Sequence, residues 1–405
     1  MNHPALVDQR GARKSGVALF TGGGDRPYAL GLAMELASKG VCVDFIGSDQ
    51  LDSPVLRMTS RLNFLNLRGN QREDVSFARK VWRVLIYYAR LIRYTATARP
   101  KIFHILWNNK FELFDRTVLM LYYKLRGKKI VLTAHNVNAG RRDARDSMIN
   151  RLTLKTQYRL ADHIFVHAEA MKRELLEDFG VPERAITVIP IGINNSVPDT
   201  DLTGEQARQR LGIGRGDRTI LFFGYIGPYK GVELLVDAFQ RLASTDPRWR
   251  LVIAGKPKKG DEKYFAEIQR AIERDVSRWR VLQRIGFIPD EETEWYFKAA
   301  DVLVLPYTRV YQSGVLVLGY TFGLPVVAAD VGSLREEIVE GKTGFLCKPG
   351  DSIGLARTIE TYFESALFKG LDGRRQEIRD YASNRYSWEA VSRRTRTVYD
   401  ELLAG

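Results

Sequence analysis

Short β-branched runs alternate with stretches of helical period along most of the chain, the signature of parallel sheets covered by helices. Val17 to Phe20, Val41 to Ile46, Ile102 to Leu106, Ile130 to Thr133, His163 to Val166 and Ile186 to Ile189 read as strands of a first α/β unit. The turn-rich segment Pro190-Ile-Gly-Ile-Asn-Asn-Ser-Val-Pro198 then interrupts the alternation. It restarts with Thr219 to Phe223, Arg250 to Ala254, Val281 to Ile285, Val302 to Leu305 and Pro325 to Ala328. A chain of 405 residues exceeds what one hydrophobic core usually supports. Two similar doubly wound domains follow, with a flexible stretch over 1–15, a first domain over 16–192, a second over 193–375 and closing helices over 376–405.

The net charge of +14 favours an anionic partner: a phosphorylated small molecule, a nucleic acid or an acidic membrane surface. Cys42 and Cys347 are the two cysteines, too few for a disulfide framework or a zinc site, which fits a reducing cytosol. No run reaches the roughly 18 apolar residues of a membrane span, so the expected protein is cytoplasmic, soluble or peripheral.

In open parallel sheets ligands bind at the carboxyl ends of the strands, so the following loops carry the function. The first strand runs into Thr21-Gly-Gly-Gly-Asp25, where glycines let a ligand approach the backbone and the helix start attracts anions; a purely structural turn is the alternative. Ala134-His135-Asn136 follows the strand ending at Thr133 and sets an imidazole at a carboxyl end, for hydrogen bonding to a sugar or phosphate, for proton transfer, or for capping and packing. His167 lies in a similar place but opens an ordinary amphipathic helix.

In the second domain Phe222-Phe-Gly-Tyr-Ile-Gly-Pro-Tyr-Lys-Gly231 joins a strand to a helix, with Gly224, Gly227 and Gly231 allowing a close turn and Lys230 supplying a compact cation that suits a diphosphate. Gln312-Ser313-Gly314 repeats the arrangement: Ser313 is a plausible N-cap, and the Gly314 and Val315 amides are free to face an anion.

Taken together these turns resemble the retaining glycosyltransferases of family 4. The likeness rests on Val188-Ile-Pro-Ile-Gly-Ile-Asn194, Gly224 to Gly231, Ala300-Asp-Val-Leu-Val-Leu-Pro306, Gly323-Leu-Pro-Val-Val-Ala328, Gly341-Lys-Thr-Gly-Phe345 and Tyr386-Ser-Trp-Glu389, in the family's order and spacing. Two departures stand out: Tyr225 occupies the place of a common arginine, and Val310 and Leu318 occupy the places of two common glutamates, as in a subgroup with Gln-Ser-Gly-Val instead.

The resemblance implies the GT-B fold, two Rossmann-like domains facing a central cleft, with the acceptor on the first, the nucleotide sugar on the second and the last helix crossing back. It implies transfer of a hexose from a UDP- or GDP-linked donor to a hydroxyl of a glycan or lipid-linked acceptor, with retention, without metal or cofactor. Catalytic roles fall to His135 and Lys230. Gly227, Lys230, Ser313, Gly314, Val315 and Arg309 would hold the diphosphate, Arg309 as a second cation. Gly286, Phe287 and Ile288 would line the nucleobase, and Gly23, Gly24, Asp25, Asn136 and Gln312 the sugar or acceptor side.

Between Phe77 and Arg93, a helical projection places Arg79, Arg83, Arg90 and Arg93 on one face and Val81, Leu85, Tyr88 and Ile92 on the other. Such a helix lies on an anionic bilayer at the inner face of a membrane, or packs its apolar face on the sheet. A sugar-nucleotide epimerase of the same fold would need more carboxylates and histidines in these loops, and a non-catalytic nucleic-acid binder would expose aromatics among its cations; no nucleic acid partner is expected.

Overall fold

The computed structural model describes residues 16–72, 74–109, 111–143, 146–275 and 277–405. The segment 1–15, expected to be flexible, lies outside the described residues. Strands β1 (Val17–Phe20), β2 (Val43–Gly47), β3 (Leu62–Asn66), β4 (Ile102–Ile105), β5 (Lys129–Thr133), β6 (His163–Val166) and β7 (Ile186–Val188) form one parallel sheet in the order β3-β2-β1-β4-β5-β6-β7. Strands β8 (Arg218–Phe223), β9 (Trp249–Gly255), β10 (Val281–Ile285), β11 (Val302–Leu305), β12 (Val326–Ala329) and β13 (Gly344–Cys347) form a second, ordered β10-β9-β8-β11-β12-β13. Strand order reverses beside β1 and beside β8, so each sheet has its ligand crevice at the carboxyl end of its first strand.

The pleat of β1 shows why such runs are apolar throughout. Val17 and Leu19 pack against the helices Arg26–Ser38 and Trp388–Ala404 on one face, whereas Ala18 and Phe20 pack on the other against Phe77–Thr97, Met120–Leu125, Met148–Leu160 and Glu169–Phe179. Two strands escape the sequence reading. β3 is an edge strand in which Leu62 is the one buried side chain and Asn63 and Asn66 break the apolar run, and β13 is four residues following a glycine turn.

The Phe77–Thr97 helix also differs from its projection. Tyr87, Tyr88, Leu91 and Thr95 face the core, and Val81, Leu85 and Ile92, assigned to the packing face, are exposed. The sheet takes the aromatic flank of the helix because Tyr87 and Tyr88 reach polar partners, Asn109 and Asp115, at the rim of the core.

The chain passes between the units at Ile189 to Ile193 and returns at Ser387, which caps the last helix through the Ala390 amide. Trp388 wedges into this double crossing. A Cβ on Gly31 would lie 2.1 Å from its ring and one on Gly192 2.6 Å, and the indole Nε1 donates to the Ile193 carbonyl at 2.9 Å. Farther along the helix, Tyr399 bonds His104 Nδ1 at 2.6 Å while Thr133 bonds Nε2 at 2.7 Å; burial pushes this imidazole down to about 3, so it stays neutral.

Helix propensity alone favours Gly31→Ala by about 1 kcal/mol, but the methyl group would enter the indole and overpacking costs about 1–3 kcal/mol. The expected outcome is a lower midpoint of thermal or urea unfolding; an unchanged or raised midpoint would show that the notch tolerates a side chain.

Candidate functional site

The loops after β1, β5 and β6 face those after β8 and β11 across the crevice between the sheets. The Thr21–Asp25 loop is pinned beneath by Trp107: a Cβ on Gly24 would lie 2.0 Å from its ring, and one on Gly22, at φ 54°, 2.2 Å from its carbonyl oxygen. Gly23, at φ 81°, lies against the Arg68 guanidinium. Asp25 is exposed and caps the following helix, accepting from the Tyr28 amide at 3.2 Å.

His135 is buried at the mouth of β5, stacked on Trp107 at 4.1 Å with rings nearly parallel and met edge-on by Tyr28. Its Nδ1 lies 3.1 Å from Nε2 of His167, whose own Nδ1 lies 3.1 Å from the Ile189 carbonyl. A carbonyl only accepts, so His167 carries its proton on Nδ1 and His135 donates from Nδ1 to His167. Burial holds both imidazoles neutral, His167 down to about 4 and His135 well below its ordinary range. His135 Nε2 is thereby left as an acceptor, buried and without a protein partner among the described residues. From the other unit the Gln312 Nε2 lies 3.4 Å from His135 Nδ1, a meeting of two donors in this tautomer and not a hydrogen bond, and the Gln312 Oε1 is likewise unpartnered. Two orphaned acceptors facing one crevice suit a ligand rich in hydroxyl groups.

On the second unit, Pro228–Lys230 makes a tight turn ending in Gly231, at φ 61°, where a Cβ would lie 2.1 Å from the Pro306 carbonyl oxygen. That approach sets the Lys230 ammonium 3.7 Å above the Tyr307 ring, with no carboxylate within salt-bridge distance among the described residues. Burial, then repulsion from Arg142, lowers it to about 7. Ser313 caps the helix Gly314–Thr321 by accepting from the Leu316 amide at 3.3 Å, which leaves the Gly314 and Val315 amides without protein acceptors among the described residues. Gly227 is buried in the same turn. At the outer end Phe287 and Tyr225 are exposed aromatics on either side of Lys256, whose Nζ lies 5.9 and 5.5 Å from their rings; Gly286 bonds back to Gly255, and Ile288 is buried beneath.

Several side chains stand elsewhere than their sequence positions suggest. Arg309 is exposed and donates to the Arg141 carbonyl across the crevice, and the second cation beside Lys230 is Arg142, 5.1 Å above the Tyr229 ring. Arg142 is itself held by Asp143 and donates to the Asn136 side chain, while Asp143 also takes Lys258 from the second unit. Leu318, at a position where a glutamate would bind a ligand, is core. Glu336 escapes the sequence reading altogether: its carboxylate accepts from the Glu169 and Ala170 amides and so caps a helix of the opposite unit. Glu337 beside it is half-buried, accepts from Tyr386 and is pushed up to about 7 by its removal from water. Neither glutamate has local spacing that would have singled it out.

Among the described residues no group of His, Cys, Asp or Glu is arranged to hold a metal ion, and no helix is long and apolar enough to cross a membrane. The family model for glycosyl transferases group 1 matches residues 204–385, and that for glycosyltransferase family 4 matches 22–197. The D-inositol 3-phosphate glycosyltransferase of Corynebacterium glutamicum is 24% identical over 94% of this chain and 92% of its own. Among solved structures, sucrose-phosphate synthase from Thermosynechococcus elongatus superposes with a TM-score of 0.76 at 20% identity, over 96% of this chain and 100% of that one. Anabaena Alr3699/HepE in complex with UDP superposes with a TM-score of 0.74 at 19% identity, over the same shares.

An anion at Lys230 requires the protonated amine, and the free protein loses that proton near pH 7. Nucleoside diphosphate affinity is therefore expected to fall with rising alkalinity, by up to about tenfold per pH unit above 7, and to flatten in Lys230→Arg. Calorimetry between pH 6.5 and 9 (about the range in which such an amine titrates) checks this; equal affinity throughout would remove Lys230 from the anion site.

Proposed function

The chain belongs to the family 4 glycosyltransferases of GT-B fold and transfers a glycosyl group from a nucleotide sugar, and from that premise we propose which residues do the work. The donor lies across the crevice with its diphosphate against Lys230, Arg142 and the Gly314 and Val315 amides, its hexose toward His135 and Gln312, and its base against Phe287 and Tyr225. The observation that carries this reading is the convergence of an unpaired ammonium, free helix amides and two orphaned acceptors in one crevice.

The chemistry follows from charge. As the bond between the anomeric carbon and the diphosphate oxygen breaks, its electron pair stays on the phosphate, and cations with preset amides are strongest against that growing charge. The acceptor hydroxyl then attacks the same face and its proton passes to the departing phosphate oxygen, so configuration is retained and no protein base is needed. His135 Nε2, held by the His167 relay, accepts from a hexose hydroxyl and orients the ring. Lys230 and Arg142 supply the positive charge that a metal supplies elsewhere, so turnover should proceed without one.

Uridine is the base we favour, because the similarly folded Alr3699/HepE was solved with UDP; GDP-linked donors are the second choice. The acceptor is a hydroxyl of a glycan or lipid-linked molecule, met at the cytoplasmic side of a membrane. Relatives named for D-inositol 3-phosphate make an inositol phosphate the comparison acceptor.

A panel of UDP- and GDP-hexoses, scored for donor hydrolysis and for transfer, tests the reading. Lys230→Ala should lower kcat by about 10²- to 10³-fold and His135→Ala by about 10²-fold, with circular dichroism unchanged. Turnover should persist in excess chelator. Full activity of Lys230→Ala, or loss of activity in chelator restored by a divalent cation, would contradict it.

A further inference from the structure

Of the 21 large hydrophobic side chains exposed among the described residues, 13 lie between Phe77 and Leu152, 12 of them on the helices that cover one face of the first sheet. The Phe77–Thr97 helix bears Phe77, Val81, Trp82, Leu85 and Ile92, with Trp82 65% exposed. The helical segment 112–125 bears Leu113, Val118, Leu121 and Leu125; the Met148–Leu160 helix bears Met148, Ile149 and Leu152. These helices lie side by side: the Tyr122 hydroxyl donates to the Ile92 carbonyl, and Arg116 donates to Asn150. Their apolar outer surfaces therefore adjoin, and a patch spread over three neighbouring elements is not the scatter of single residues normal for a surface.

Charge says what the patch faces. The Phe77–Thr97 helix carries five cations, Arg79, Lys80, Arg83, Arg90 and Arg93, and no carboxylate; the Met148–Leu160 helix carries Arg151, Lys155 and Arg159 and no carboxylate. At 100° per residue the exposed apolar side chains of the first helix span an arc of about 140°, between its core face and an arc of arginines. Arg79, Lys80, Arg90, Arg93, Lys155 and Arg159 make no ion pair with any described residue. A second copy of the chain would set these cations against their like. An anionic bilayer accepts both halves of the surface, apolar side chains in the acyl boundary and cations among the headgroups.

Topology sets the patch beside the cleft. Each crossover helix starts where its preceding strand ends, at the carboxyl edge that carries His135. Phe77, Val81, Trp82, Leu113, Met148, Ile149 and Leu152 occupy the opening turns of these helices.

We propose that the outer surface of these three helices seats on an anionic bilayer with their opening turns inserted, so that the crevice opens at the membrane surface and receives the headgroup hydroxyl of an amphiphilic acceptor. This rests on the lipid-linked reading of the acceptor and adds the surface and orientation by which the protein meets it. The acceptor class is then an amphiphile whose chain stays in the bilayer while its headgroup enters the cleft.

Flotation of the full-length protein with vesicles tests it, using phosphatidylcholine alone and phosphatidylcholine mixed with phosphatidylglycerol. Binding is expected to the mixed vesicles only, and to weaken with salt. Arg79→Gln/Arg90→Gln/Arg93→Gln should weaken it about hundredfold, at about fivefold per cation. Val81→Ser/Trp82→Ser/Met148→Ser/Ile149→Ser should abolish it, while hydrolysis of a nucleotide sugar by the same preparations stays at the wild-type rate. No flotation, equal binding to both vesicle types, or full binding by the serine variant would overturn the proposal, as would a dimer in sedimentation that the serine substitutions dissociate. Hydrolysis without flotation would remove the docking surface and leave the transferase standing; flotation without hydrolysis of any nucleotide sugar would do the reverse.

Discussion

The catalytic geometry depends on the wedge of Trp388 between Gly31 and Gly192. The contacts that close the crevice on its far side are a few separate polar bonds: Tyr311 to Asn138, Glu336 to the Glu169 and Ala170 amides, and Lys258 to Asp143. Each contributes about 0.5–1.5 kcal/mol net, and each exchanges readily with water. A fully buried tryptophan is worth about 3–5 kcal/mol against alanine. Trp388 is backed further by the Ile193 amide donating to the Tyr386 carbonyl. A firm hinge and a weak front are what a cleft needs to admit a ligand and close on it. Tyr28 joins the two ends, packing edge-on against both Trp388 and His135.

Electrostatics singles out this crevice where cavity size does not. A cavity of about 950 Å³ lies on the far side of the second unit between Asp199 and Arg379. Most of its cations are already matched, Lys298 with Asp199 and Glu294, Arg208 with Asp301 and Arg379 with Asp199, and Arg375 is spent on the Phe322 and Ala300 carbonyls. Lys230 has aromatic rings around it instead of a carboxylate; burial and the repulsion of Arg142 lower its pKa to about 7, and no ion pair among the described residues neutralises its charge. The neutral histidine relay works the other way, fixing one lone pair of His135 without placing a positive charge in the crevice.

Much of this was legible in the sequence because it is local. Strand runs such as His163–Val166, the glycine turn before Lys230 and the Ser313 cap each depend on a few consecutive residues, whose φ angles and cap bonds bear out their types. What escaped is set by packing between distant elements. Arg142 stands beside Lys230 only because the loop after β5 reaches the opposite unit, and Glu336 becomes a cap only once the crevice has formed. Similarly, the projection of Phe77–Thr97 separates apolar from basic residues correctly but cannot tell which apolar flank the sheet will take. Burial of Leu318 shows why the helix after Ser313 can do without an acid there: in this chain that turn points into the core.

On the proposed reading, one anion site is assembled from both units at the start of the Gly314–Thr321 helix. Its most direct test is a crystal structure with a bound nucleoside diphosphate. The terminal phosphate is expected within hydrogen-bond distance, about 2.7–3.2 Å, of Lys230 Nζ and of the Gly314 or Val315 amide, with Arg142 turned toward it and the base beside Phe287. Ordered nucleotide in the cavity lined by Arg208, Lys298 and Arg375, with the crevice holding none, would contradict it.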